Sequence, residues 1–127
     1  MDVAAKSVRS GEVGSVFADL IFSADEAKRM KLRNSRNKIY ATVLKFDSLD
    51  IETCDEPCEL TLSPDASFVL TLKDKDRFNH QMSPKSVSVE FDGVTESDSQ
   101  YTVGSGESKI SVATDSELII LPLAEKD

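Results

Sequence analysis

The sequence predicts a mainly β fold: an antiparallel β-sandwich or small barrel with one short N-terminal helix and a flexible N-terminal arm. From Asn37 onward, apolar residues alternate with polar ones, which is the period of a strand. Turn signals separate about eight such segments at intervals of roughly 8–12 residues, as in sandwiches and barrels. No helix long enough to connect parallel strands fits between the later segments, so a doubly wound α/β fold is excluded.

The composition indicates one ordinary globular domain. The chain has 127 residues, of which 39% are hydrophobic and 30% charged, which excludes collagen-like, mucin-like and wholly disordered chains. No apolar run approaches the roughly 20 residues of a membrane helix, and no N-terminal segment has the layout of a signal peptide. We therefore expect no membrane partner and a cytoplasmic or virion location. No repeat of 20–50 residues is evident.

The N-terminus is predicted to be an arm. Residues 1–15 contain small residues, two glycines and three serines without a period, so they are expected to be disordered or ordered by a partner. The remaining residues, 16–127, are predicted to form a single β-rich domain.

A helix is predicted over residues 24–33. Ser23 and Glu26 have the spacing of a capping box, in which each side chain bonds the backbone N–H of the other. Asp25 and Glu26 would lie near the positive end of the helix dipole. The apolar residues of this segment are few, which favours a position at the edge of the domain.

Alternating segments define the predicted strands and core. Ser63-Pro64-Asp65-Ala66 has the composition of a type I turn and is predicted to join two arms of a hairpin. Alternation then predicts the buried residues. They are Leu60, Leu62, Phe68, Leu70, Val87, Val89, Phe91, Tyr101, Ile110, Val112, Leu118 and Ile120.

Three consecutive segments near the C-terminus share a recognisable pattern. Residues 86–94 read SVSVEFDGV, residues 97–103 read SDSQYTV, and residues 109–112 read KISV. Together with their flanks (residues 84–123) they resemble immunoglobulin-like accessory modules of bacterial surface proteins and phage virion proteins. The resemblance implies structural or adhesive work in an assembly and carries over no functional residues.

The charge is unevenly distributed along the chain. The formal net charge is −8, but residues 1–44 hold eight basic and five acidic residues, whereas residues 45–127 hold seven basic and eighteen acidic ones. Six basic residues fall within eleven positions and form the candidate partner-binding set. They are Lys28, Arg29, Lys31, Arg33, Arg36 and Lys38. The simplest interpretation of this set is a solvated face of the predicted helix; the more specific hypothesis is a contact surface for an acidic partner such as a second copy. Nucleic acid is disfavoured, because an acidic body repels phosphate.

No catalytic signature is present. Cys54 and Cys58 are most simply reduced thiols at a bend, with a local disulfide or half of a metal site as alternatives. His80, the sole histidine, lies in a polar segment and is interpreted as a surface side chain. We therefore predict no catalytic residue, no metal and no cofactor.

The predicted function is structural and non-enzymatic: the protein self-associates as a homo-oligomer or docks on a larger protein assembly such as a phage virion, as a decoration, head-tail or tail protein. The alternative is an acidic inhibitor or regulatory protein that acts by nucleic-acid mimicry or partner binding, with the carboxylates of residues 45–127 standing in for phosphates.

Overall fold

A computed structural model describes residues 2–15, 19–35, 37–54, 56–75, 78–97 and 100–123. These residues form ten strands and no helix, so the mainly β class is confirmed. The strands are β1 (Asp2–Ser15), β2 (Leu20–Ser35), β3 (Ile39–Cys54), β4 (Cys58–Leu62), β5 (Phe68–Leu72), β6 (Ser86–Val89), β7 (Thr95–Ser97), β8 (Gln100–Val103), β9 (Ser108–Thr114) and β10 (Glu117–Pro122).

Successive N-terminal strands stack in parallel, with a constant step of 19 residues. Asp2 of β1 pairs with Ile21, Leu20 of β2 pairs with Ile39, and Ile39 of β3 pairs with Cys58. Each strand is therefore one rung of a coil, stacked on the rung before it. The period of 19 is just shorter than the roughly 20–50 residues of common structural repeats, and its rungs share apolar positions rather than identical residues.

Each rung bends twice. In β2 the buried residues are Leu20, Phe22, Ala24, Ala27, Met30, Leu32 and Asn34. They follow one another at steps of two, two, three, three, two and two. Asp25 and Lys28 lie at the steps of three and drop out of the pairing with both neighbouring strands. The sheet is consequently curled and open, with a first arm before the bends, a second arm after them, and the core between the two arms.

The predicted N-terminal helix is wrong, because residues 24–33 belong to strand β2. The two bends explain the error. Ala24, Ala27 and Met30 are buried at steps of three, which is the spacing of one face of a helix. Ser23 is a half-exposed strand residue that pairs with Ala4 and Thr42, rather than a cap.

The predicted flexible arm is also corrected. Residues 2–15 form strand β1, which pairs along its length with β2. Small residues without a strand period are accommodated because β1 is the terminal rung and has a neighbour on one side among the described residues. Val8 and Val13 are half-buried against the core.

The predicted antiparallel pairing holds for a minority of the sheet. Of the nine strand pairings among the described residues, seven are parallel, while β8 pairs with β5 and with β7 antiparallel. The turn at Ser63 forms, since the Ala66 N–H donates to the Ser63 carbonyl at 2.9 Å. It joins β4 in the first arm to β5 in the second arm instead of closing a hairpin. All ten strands belong to one curled, open sheet.

The C-terminal strands complete both arms by insertion. In the first arm β10 lies between β4 and β6, and in the second arm β9 lies between β3 and β5. The segments of the resemblance to immunoglobulin-like modules fall on β6, β8 and β9. Eight of the twelve predicted core residues are buried, and Val87, Val89, Phe91 and Tyr101 are partly buried against them. Phe91 meets the buried Phe68 edge to face, with ring centroids 5.4 Å apart.

Ser67 holds the connection from β8 to β9. Its hydroxyl accepts from the Gly106 N–H at 2.9 Å and donates to the Val103 carbonyl at 3.3 Å. This connection crosses over the start of β5, which pairs with β8 on one side and β9 on the other. Gly106 has a φ of +71°, and a Cβ there would lie 2.8 Å from Val69 Cγ2.

We expect Gly106→Ala to destabilise the fold by more than Gly93→Ala. Gly93 has nearly the same φ, +70°, but nothing within 4 Å of the added Cβ. Left-handed backbone alone costs an L-residue about 1–2 kcal/mol. At Gly106 the clash with the stiff β-branched Val69 adds to that cost. Urea denaturation of both variants measures the difference. Equal losses would show that Val69 moves aside freely.

Candidate interaction surface

The outer side of the second arm carries rows of charged side chains. We call the outward residues of β1, β2 and β3 in this arm the charged face. Its charged members are Glu12, Arg29, Lys31, Arg33, Asp50 and Glu52. In the row through Lys31, parallel in-register pairing places Glu12 on one side and Asp50 on the other. Like charges on neighbouring strands repel, so this alternation stabilises the stack.

Two ion pairs reinforce the charged face. The Arg33 guanidinium contacts the Glu12 carboxylate, and the Lys73 ammonium lies 3.0 Å from Asp50 Oδ1. The side chains of Lys73 and Asp50 are 40% and 37% exposed, so their attraction is screened by water and contributes modestly to stability. The charge of Arg33, one of the six predicted partner-binding residues, is therefore balanced within the chain.

The described members of the predicted partner-binding set lie at three places in the fold. Arg29, Lys31 and Arg33 lie on the charged face, while Lys28 is at a bend and Lys38 is in the turn that precedes β3. The Lys38 backbone N–H donates to Asp19 Oδ1 at 2.9 Å. Arg36 lies outside the described residues.

Basic side chains line a cavity at the second bend. Arg9, Lys28 and Arg29 line it together with Ser10 and Asp47. Arg9 and Lys28 occupy successive rungs, which are about 4.8 Å apart in a sheet. This bend, rather than the whole stretch from Lys28 to Lys38, holds the excess of cations over carboxylates.

Of the two cysteines, Cys58 is the one whose side chain the structure describes. Cys58 is a free thiol, fully buried at the start of β4. Burial, assisted by the charge of Glu59, raises the pKa of Cys58 to about 12. A buried thiol with so high a pKa is a weak nucleophile at neutral pH, because the thiolate is the reactive species.

Two further titratable side chains among the described residues, His80 and Tyr101, lie in different surroundings. His80 is exposed beside Phe78, with ring centroids 6.2 Å apart. Burial and the neighbouring Glu96 raise the pKa of Tyr101. Within the part of the chain that the structure describes, no three His, Cys, Asp or Glu side chains are grouped in a way that could hold a metal ion.

A buried polar ladder ends the second arm. Asn34, Thr53 and Thr114 occupy paired positions on β2, β3 and β9, and all three are buried. The Asn34 side-chain amide donates to the Lys38 carbonyl at 3.0 Å, and Thr114 Oγ1 accepts from the Ser116 N–H at 3.1 Å. These bonds fix the turns that follow β2 and β9.

The terminal rung is the feature that sequence reasoning missed. β1 pairs with β2, and its other edge has no partner among the described residues. Its backbone N–H and C=O groups on that edge are therefore open to another strand. The signal that could have revealed it is the 19-residue spacing of the buried apolar residues in the first arms of β2, β3 and β4, such as Leu20, Ile39 and Cys58.

The outer side of the first arm is less charged than that of the second. Ile21 and Tyr40 are neighbours on β2 and β3, with exposed fractions of 45% and 37%. Single exposed apolar residues are ordinary on protein surfaces, and these two form a short row rather than a large patch.

No family model, curated protein or solved structure matches this chain. The described residues include no helix that could cross a membrane.

We expect Lys31→Glu to destabilise the protein by about 1 kcal/mol, because it places a carboxylate between two others on adjacent strands. Arg29→Glu is the matched control on the same strand and face, since its neighbours Ser10 and Ser48 are uncharged. Its effect should stay within about 0.5 kcal/mol, as is usual for surface substitutions. Denaturant midpoints at low and high salt measure both. Equal effects at low salt would contradict the role of the charge rows.

We expect Cys58 to resist thiol reagents in native Cys54→Ser protein and to react on unfolding. The folded state retains a proton that the unfolded thiol releases above its ordinary pKa of 9.0. Stability should therefore fall as pH rises between about 9 and 12. Denaturant titrations across this range, with Cys58→Ala as the control that lacks the thiol, measure the effect. Fast labelling of native protein at neutral pH would contradict the burial of Cys58.

Proposed function

We propose that this chain is a non-enzymatic structural protein that acts by assembly, with copies of itself or with a larger particle. The observation that carries the proposal is the open edge of β1. This strand of 14 residues has one backbone edge without a strand partner among the described residues, and its half-buried Val8 and Val13 lie at that end of the core. Stacked coils need a cap at each end, and no strand among the described residues covers the outer edge of β1.

The opposite end of the sheet is better protected. The terminal strands there are β6, with four residues, and β7, with three. β7 is exposed along its length and carries Glu96. Short, polar terminal strands are a common device against edge-to-edge association. The contrast between the two ends favours β1 as the place where another chain adds.

A virion or surface assembly is the setting that the resemblance of residues 84–123 supports. Nucleic-acid mimicry requires an uninterrupted row of carboxylates. On the charged face Lys31 and Arg33 interrupt the acidic rows, which weighs against the mimic at this surface.

The test is the oligomeric state of the full chain, measured by size-exclusion chromatography with light scattering at tens of micromolar. We expect an oligomer that persists at high salt, because backbone pairing and apolar burial are screened little. Val13→Asp should weaken association by placing a charge at the uncovered end of the core. Ser7→Asp, at an exposed position of the same strand, is the control. A monomer at both salt concentrations would overturn self-assembly.

A further inference from the structure

We infer that two copies join through their β1 strands in antiparallel register about a two-fold axis at Val8, so that one curled rung lies directly on the other. The inference deepens the proposed function by naming the partner, a second copy, and the register. It rests on the symmetry of the rung.

The buried positions of a rung read the same in both directions. In β2 their steps of two, two, three, three, two and two are symmetric about Ala27. In β3 the same steps lead from Ile39 to Thr53 and are symmetric about Phe46. The register between β1 and β2 transfers the pattern to β1. There Val8 pairs with Ala27, while positions 3, 5, 11 and 13 pair with positions 22, 24, 30 and 32.

This symmetry makes the open end of the sheet complementary to itself. A second β1 that meets the same edge keeps its core on the same side only if it runs antiparallel. Reversal about Val8 then places position 3 opposite position 13, and position 5 opposite position 11. Val8 then lies on the axis, and the two arms of one rung overlie the two arms of the other. A slip by one residue would set inward positions opposite outward ones.

The chemistry of β1 suits this pairing. In the proposed register Lys6 lies opposite Ser10, Arg9 opposite Ser7, and Glu12 opposite Ala4, so no two like charges face each other directly. Val8 meets Val8 of the partner subunit at the axis. The half-buried valines of both copies become covered, and two open edges are removed together.

Disulfide trapping tests the register in the full chain carrying Cys54→Ser. Directly opposite Cα atoms in an antiparallel pair are about 4.5–5.5 Å apart, within the range a disulfide spans. Val8→Cys should therefore crosslink to its own copy on mild oxidation. Ser7→Cys is the control, because two residues numbered 7 would be about 8 Å apart, beyond that range. We expect at least about tenfold more covalent dimer from Val8→Cys.

A second pair of variants tests the same register without changing Val8, in case Val8→Cys fails to fold. Ala5→Cys and Gly11→Cys proteins should form a covalent dimer when they are mixed and oxidised, because position 5 lies opposite position 11 of the other copy. Each variant oxidised alone should run as a monomer on a non-reducing gel. A Cβ at Gly11 meets Met30 Sδ at 3.5 Å, an ordinary contact, so the substitution is tolerated. Crosslinking in both experiments supports the two-fold pairing.

The outcomes separate the inference from the proposed function. An oligomer in light scattering without crosslinks at position 8 or between positions 5 and 11 would overturn the two-fold pairing and leave assembly through another surface. A monomer in light scattering, with no crosslink in any variant, would overturn both. Equal crosslinking of Val8→Cys and Ser7→Cys would indicate random collision and would also overturn the register.

Discussion

The structure depends on in-register parallel stacking at a step of 19 residues. This step places each inward side chain on the inward side chains of neighbouring rungs, and at two positions a phenylalanine lies beside an alanine. Phe22 lies next to Ala41, and at the bend Ala27 lies next to Phe46. A large residue beside a small one lets adjacent rungs fill the space between the arms without voids. The bends lie at the same two positions in β1, β2 and β3, so each bend stacks on the bend of the next strand.

The same stacking imposes a constraint on the outer surface. Identical register aligns outward residues into rows just as it aligns the core, and a row of like charges would push the rungs apart. The sign alternates from Glu12 to Lys31 to Asp50. Two residues of the basic stretch that stands out in the linear sequence, Lys31 and Arg33, are therefore structural components of these rows. The unbalanced cations gather at the bend near Arg9 and Lys28 instead.

The two ends of the stack differ in how they are covered. At one end the chain returns, and β9 and β10 insert beside earlier strands, so that β3 and β4 are covered by residues distant in sequence. Short strands then finish the sheet. At the other end β1 leaves both its backbone edge and the margin of the core accessible. A rung that is symmetric about its centre suits pairing with its own copy, which links the geometry of the fold to the proposed assembly.

The sequence by itself determined that the protein is mainly β, that a turn follows Ser63, and about a third of the buried apolar core, because alternation and turn chemistry are local properties. The bond that closes the turn at Ser63 and the buried Leu60, Leu62, Phe68 and Leu70 follow from them. Tertiary structure decided how the strands pair. A local pattern cannot distinguish a bent strand from a helix when bends insert steps of three, as at Ala24, Ala27 and Met30. Nor can it show that β4 pairs with β3 and β10 rather than with β5. These choices depend on contacts between residues far apart in the chain, and they also decide which edge is left open.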